Sequence, residues 1–320
     1  MNGNPYLQRM IGIPAVKDLQ SLSDQTHLSK ALLFKLSKCN DKFYKHFELP
    51  KRGGGSRTIS CPAREMKAVQ AWILRRILER VSVADAATAY IPGKNILQNL
   101  RPHKGNRYFL CMDIEDFFPS ITYPKIYTIF KTLGYNPHVA HIFTSLCTCD
   151  DRLPQGSVTS PALSNIVCIR MDHRISAYAG KRNIAYTRYA DDMTFSSKTP
   201  SRLISVHKVV AEIVQSEGYR INEDKTRFMG PRRRRKITGL VVSDENVGVG
   251  RSRKRILRAA LHALLTKPLA DEEKSKLRYH LGGWLAYMKD VDVEGFGQLR
   301  RYTHQLAQKY KLQIPLPLIK

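Results

Sequence analysis

Apolar residues recur at Met66, Val69, Ile73 and Ile77, a spacing that predicts a helix over residues 64–81. The same stripe returns at Leu203, Val206, Val210 and Ile213 and predicts a helix over 200–217, stopped by Gly218. Further helices are predicted after Pro124 through Leu133 and over about 161–179, where positions 163, 166, 167 and 171 are apolar. Residues 1–50 and 253–312 also read as helical. Residues 108–112 form an apolar run of strand length that ends at Asp113, residues 58–60 a short strand, and 237–242 a further strand. Residues 186–189 and 193–196 have the composition and alternation of a β-hairpin. Helices, isolated strands, a hairpin and a final run of helices predict an α+β fold with a mixed or antiparallel central sheet and a helical C-terminal lobe.

A chain of 320 residues can bury a large core in two or three lobes. No apolar run approaches the roughly 18 residues of a membrane span, and the first residues lack the layout of a signal peptide. Cys39, Cys61, Cys111, Cys147, Cys149 and Cys168 lack disulfide or zinc-finger spacing, so free thiols and a cytoplasmic location are expected. Charge changes the picture most: 53 Lys and Arg against 27 Asp and Glu give +26, which suits a polyanionic partner. Basic residues cluster at 232–236 and at Arg251, Arg253, Lys254, Arg255 and Arg258, the second set at the start of a helical segment suited to tracking a phosphate backbone.

Against that basic background the acidic motifs stand out. Asp191 and Asp192 sit at the hairpin tip, where like charges repel but hard divalent cations find carboxylate oxygens. An Asp-Asp pair alone is also ordinary turn chemistry. Asp113 closes an apolar strand; beside the hairpin it would complete a three-carboxylate set that two cations about 4 Å apart would neutralise. Glu115 and Asp116 either extend that set or cap the next helix. Residues 153–161 form a third element, in which Gly156 permits close backbone approach, Pro154 and Pro161 stiffen the ends, and Gln155 can hydrogen-bond a sugar or base.

Acidic strand, Pro-Gln-Gly loop and Tyr-Ala-Asp-Asp hairpin, in that order, resemble the palm of a reverse transcriptase over residues 50–245. The resemblance implies fingers, palm and thumb, placed at 51–107, 108–242 and 243–320 after an N-terminal helical region at 1–50. It implies that Asp113, Asp191, Asp192 and the Ile114 carbonyl hold two Mg²⁺ ions, with Mn²⁺ as a possible substitute. Arg57, Asp116, Phe117, Phe118 and Gln155 would bind the incoming dNTP, Phe118 excluding a ribose 2′-hydroxyl and Arg57 meeting the triphosphate. Lys225 would lie near the leaving pyrophosphate, and Tyr189 would touch nucleic acid.

The chain is most similar to bacterial retron reverse transcriptases. Two signatures are altered: Asn99-Leu-Arg-Pro-His103 has Leu100 where the family has Ala, and Ile237-Thr-Gly239 has Ile for Val. In the family these segments help recognise a structured noncoding RNA, which makes Asn99, His103, Thr238 and Gly239 candidate contacts, although packing roles for Asn99 and His103 fit equally. The resemblance implies DNA synthesis from an internal guanosine 2′-hydroxyl to give branched msDNA, and antiphage defence with a separate effector protein. The acidic residues after 250 form no strand-borne set, so template removal by host RNase H is expected. Group II intron-like and diversity-generating reverse transcriptases share the chemistry. A two-metal nuclease has no need of Phe118, Gln155 or Arg57, and a non-catalytic maturase-like RNA-binding protein has no need of the Asp triad.

Overall fold

Polar side chains start the first helices. In this computed structural model, which describes residues 3–50, 54–232, 235–243 and 246–315, Asn4, Asp18 and Ser29 cap α1 (Pro5–Ile11), α2 (Leu19–Thr26) and α3 (Lys30–Lys38). Each cap oxygen accepts an N–H that the first turn leaves unpaired. The expectation of helices up to residue 50 fails at Tyr44, where β1 (Tyr44–Pro50) begins and pairs antiparallel with β2 (Ser56–Pro62). From Lys45 onward β1 is exposed, so it has no buried face to mark it in the sequence.

Next come α4 (Arg64–Arg76), α5 (Ile96–Leu100), β3 (Tyr108–Ile114), α6 (Tyr123–Thr132), α7 (Pro137–Cys147), α8 (Ser160–Val167) and α9 (Ile169–Gly180). The single helix expected over 161–179 is therefore two, divided at Cys168, whose ψ of 0° breaks the helical path. Apolar spacing continues through the break, so periodicity could not show it. The hairpin is β4 (Ala185–Tyr189) and β5 (Asp192–Ser197), followed by α10 (Ser201–Ser216) and β6 (Ile221–Met229). Residues 237–242 form a tight hairpin instead of one strand. Thr238 and Gly239, with φ of 44° and 94°, turn β7 (Lys236–Ile237) into β8 (Leu240–Val242). After β9 (Val247–Gly248), α11 (Arg251–Thr266), α12 (Asp271–Val291) and α13 (Val293–Tyr310) complete the chain.

The central sheet has the order β4-β5-β3-β6 and is antiparallel throughout. Side chains of β3 alternate between two cores, as strand geometry requires. Leu110, Met112 and Ile114 pack into the large cluster that includes residues of α4 and α6–α10. Phe109 and Cys111 join a second cluster with Met229, Ile237, Leu240 and the apolar faces of α11–α13. Asp113 is next on this second face. The sheet therefore separates a helical base from a C-terminal helical lobe. Among the described residues no helix is long and apolar enough to cross a membrane, and all six cysteines are free.

Candidate active site

Strand register brings the carboxylates together. Asp113 is paired directly opposite Asp192, and the Ile114 N–H donates to the Asp191 carbonyl at 3.0 Å. Directly opposed residues in an antiparallel pair project from the same face. Asp113 is thus on an inner strand, 6% exposed, and Asp191 and Asp192 are partly buried beside it. On the other flank β6 has a bulge opposite β3, and Lys225 reaches across to place Nζ 2.7 Å from Asp113 Oδ1.

The turn between β4 and β5 is a two-residue link, Ala190–Asp191, closed by the Tyr189–Asp192 pair. Ala190 has φ of 59°, a left-handed conformation that favours glycine, so the turn needs support. Arg188 supplies it from below. Its Nη1 donates to the Ala190 carbonyl at 3.0 Å and to Asn165 Oδ1 at 3.2 Å. Its Nε and Nη2 form a bidentate pair with Asp172 of α9, at 2.9 and 2.6 Å, and both side chains are fully buried. Tyr186 adds a hydroxyl donated to Asp172 at 2.8 Å. Sequence reading missed this support, because an Arg in a strand gives no sign of burial until its acid partner is located.

The residues expected at the nucleotide lie on the β3–α6 connection, on β2 and in the loop before α8. Phe117 is buried against Tyr219, whereas Phe118 is partly exposed, with its ring 5.5 Å from Phe117. The structure thus gives Phe117 a packing place and leaves Phe118 accessible. Asp116 is exposed with φ of 42°, and its carbonyl accepts the Ser120 N–H, so its backbone shapes the turn below Phe118. The Ser60 N–H donates to the Gln155 carbonyl at 2.8 Å. A Cβ on Gly156 would lie 2.9 Å from the Ser60 carbonyl oxygen, so glycine is what lets β2 close on this loop. That contact joins the ribbon carrying Arg57 to the loop carrying Gln155. The positive charge of Arg57 opposes the upward shift of Asp191.

Electrostatically the site holds more negative charge than it can comfortably keep. Burial, then the Asp113 charge, pushes the Asp191 carboxyl above its ordinary value. Burial, then Asp191 and Asp113, pushes Asp192 up to about 6. Burial disfavours the Lys225 ammonium, but the hydrogen bond and charge of Asp113 outweigh it and raise Lys225. Carboxylates under mutual repulsion are the donor type that hard divalent cations take, although the Asp113, Asp191 and Asp192 oxygens are not all within 4.8 Å of one another, Asp113 being held by Lys225. A folded-state value near 6, against an ordinary 3.8, means that the folded, metal-free protein binds the extra proton in that window. Its stability from this group is therefore lost as pH rises from 3.8 through about 6. Cation binding needs the ionised form, so affinity for Mg²⁺ or Mn²⁺ is expected to weaken below pH 6 by up to about tenfold per pH unit per proton released. Mn²⁺ titration by calorimetry at pH 5 and 7 checks this; equal affinities would contradict the assignment. Among the described residues, the cluster with three donor atoms within 4.8 Å is Asp41, Cys149 and Asp150, in another part of the fold. There burial, then Asp150 and Asp41, holds the Cys149 thiol up at about 12, so it offers no thiolate at neutral pH.

The expected nucleic-acid contacts divide into two kinds. Asn99 and His103 are wholly buried. His103 bridges Ser196 Oγ at 2.7 Å and Thr187 Oγ1 at 2.8 Å beneath the β4–β5 hairpin, and burial lowers it to about 3, which keeps it neutral. Asn99 accepts from Thr88 Oγ1 at 3.0 Å and donates to Thr238 Oγ1 at 3.4 Å, so the two altered signatures touch. Both side chains take the packing role in this conformation. Gly239 is exposed at the β7–β8 tip and Thr238 partly so. On α11, Arg251 and Arg255 are exposed, Arg253 lies 4.4 Å over the Trp284 ring, and Lys254 pairs with buried Asp292 at 3.3 Å. Tyr189 is partly exposed, and it lies near enough to Tyr287 of α12 for the two phenols to interact, so the C-terminal lobe overlooks the turn. Of the basic run at 232–236, residues 233 and 234 lie outside the described residues.

Residues 49–242 match the family described as reverse transcriptase (RNA-dependent DNA polymerase). The retron Ec86 reverse transcriptase of Escherichia coli is 37% identical over 96% of this chain and 95% of its own length. The chain belongs to the retron reverse transcriptases. The retron Mx65 enzyme of Myxococcus xanthus is 34% identical, over 81% of this chain and 64% of its own. The retron Ec83 enzyme of Escherichia coli is 32% identical, over 75% and 81%. The enzyme is an RNA-directed DNA polymerase, with RNA as its template and DNA as its product, and its reverse transcriptase domain implies a general dependence on divalent metal.

Proposed function

We propose that this reverse transcriptase copies a structured noncoding RNA into DNA at the junction of β3 with the β4–β5 turn, starting from an internal guanosine 2′-hydroxyl and giving branched msDNA. The observation that carries the site is the register that sets Asp113 opposite Asp192, with Asp191 in the adjoining turn. Asp113, Asp191, Asp192 and the Ile114 carbonyl would hold two Mg²⁺ ions, with Mn²⁺ as substitute. Bound there, such ions would acidify the attacking hydroxyl and stabilise the leaving pyrophosphate.

The chain's own groups do the rest. Arg57, on the exposed end of β2, meets the triphosphate of the dNTP, and Gln155 and Phe118 border its sugar, Phe118 rejecting a 2′-hydroxyl. The Asp116 backbone sets the height of Phe118. Lys225 holds Asp113 in place and offers a positive charge toward the departing pyrophosphate. Fingers, palm and thumb are assigned to 51–107, 108–242 and 243–320, with Gly239, Thr238, Arg251, Arg253 and Arg255 along the RNA–DNA path. Host RNase H would then remove template RNA in the cytoplasm, and a separate effector protein would use the product in antiphage defence.

The test is to purify the protein with its bound nucleic acid and treat that material with a 2′,5′-specific debranching enzyme. A short DNA released from RNA supports the reading; DNA that is never joined to RNA overturns the priming step.

A further inference from the structure

Tyr90 stands out on three independent counts. It has φ of 60°, unusual for a bulky residue, yet 47% of it is exposed, so core packing does not account for the conformation. Its ring centre is 6.4 Å from that of Phe118. Its backbone, finally, is tied to the catalytic turn.

That tie is a short parallel pairing along the outer edge of β4. The Arg188 N–H donates to the Ala86 carbonyl at 2.7 Å, and the Thr88 N–H donates to the Arg188 carbonyl at 2.9 Å. Ala87 is paired with Arg188, so residues 86–88 run beside the end of β4, just before the Ala190–Asp191 turn, with Tyr90 two residues further on. Asn165 fixes the intervening step by donating Nδ2 to the Ala89 carbonyl at 2.8 Å. The same Asn165 accepts from Arg188, so one buried network sets both the turn and the base of Tyr90. Burial, then the Asp191 charge, raises the Tyr90 phenol while Arg57 opposes the rise, in keeping with its ring contact to Phe118.

We propose that Tyr90 contacts the incoming nucleotide, its ring and that of Phe118 forming an aromatic wall against the sugar and base of the dNTP. This rests on the proposed site. Aromatic faces hold nucleobases with little regard to sequence, so all four dNTPs should depend on Tyr90 alike. Phe118 adjoins the 2′ position and Tyr90 faces it from the far side of the wall, so the two residues have separable effects.

The experiment is steady-state incorporation of single nucleotides on an RNA template by wild type and by Tyr90→Asn, Tyr90→Gly, Tyr90→Phe, Phe118→Ala and Asp191→Asn. Asn and Gly both suit a left-handed backbone, so the ring is removed without strain, and either variant serves if the other folds poorly. Tyr90→Asn and Tyr90→Gly are expected to raise KM for every dNTP about tenfold, with a much smaller change in kcat. Selection against ribonucleotides should persist in them and fall in Phe118→Ala. Tyr90→Phe should recover most of the lost affinity. Unchanged KM in the Asn and Gly variants, or a loss in Tyr90→Phe as large as theirs, would overturn the assignment of Tyr90. Activity in Asp191→Asn would instead overturn the site on which it rests, so the two failures are distinguishable.

Discussion

Asp191→Asn protein should lose about a thousandfold or more in dNTP incorporation while keeping its affinity for RNA. Metal-bound oxygens supply several kcal/mol of transition-state stabilisation, and each 1.36 kcal/mol is about tenfold in rate. Asn keeps the size and one oxygen but removes the charge that holds a hard cation. Asp192→Asn should lose activity to a similar degree and also melt at a higher temperature in metal-free buffer above pH 6. The structure raises that carboxyl to about 6 through burial and the neighbouring acids, so its ionised form is a cost to the fold. Gain of stability with loss of activity marks a carboxylate kept for chemistry. Filter-binding affinity for RNA, a dNTP incorporation assay and calorimetric melting check the three parts; a variant that stays active at the wild-type rate would remove that residue from the site.

Asp172→Ala should be the most damaging change outside the carboxylate set. Asp172 and Arg188 are both 0% exposed by side chain, so removing the acid strands a buried guanidinium and the Tyr186 hydroxyl. Breaking such a pair costs about 3–5 kcal/mol, a large share of the stability of an ordinary domain. Urea denaturation measures it. The double variant Asp172→Leu with Arg188→Met should recover much of that loss, since an apolar pair of similar size avoids the buried charge. It should not recover DNA synthesis, because the Ala190 carbonyl loses the Arg188 donor that holds the left-handed turn. A double variant that folds and polymerises at the wild-type rate would show that Arg188 serves packing alone.

Asp113 and Asp192 belong to short local patterns whose order along the chain is itself informative, whereas Lys225 is marked only by the family resemblance. Their meeting depends on β3–β5 and β3–β6 register, and only the first was foreshadowed by alternating residues. Strand β6 is mostly polar and partly exposed, so Asn222 to Arg227 carried no period-2 signal. Arg188 is the converse case: its burial depends on Asp172 in a preceding helix, a pairing no local spacing records. Tyr90 carries no sequence signal, because a left-handed backbone leaves no mark on residue type. Asn99 and His103 were visible as a motif, but whether a polar side chain faces solvent or a buried hydroxyl is decided by the chains packed above it. Here those chains are β4, β5 and the Thr238 turn.

The central claim is that RNA-templated DNA synthesis occurs where Asp113 faces Asp192. Single-turnover incorporation of one dNTP on a matched RNA template, by wild type and by Asp113→Asn at saturating template, tests it most directly. The account predicts rapid extension by wild type and at least about a thousandfold slower extension by the variant. Equal rates would contradict it.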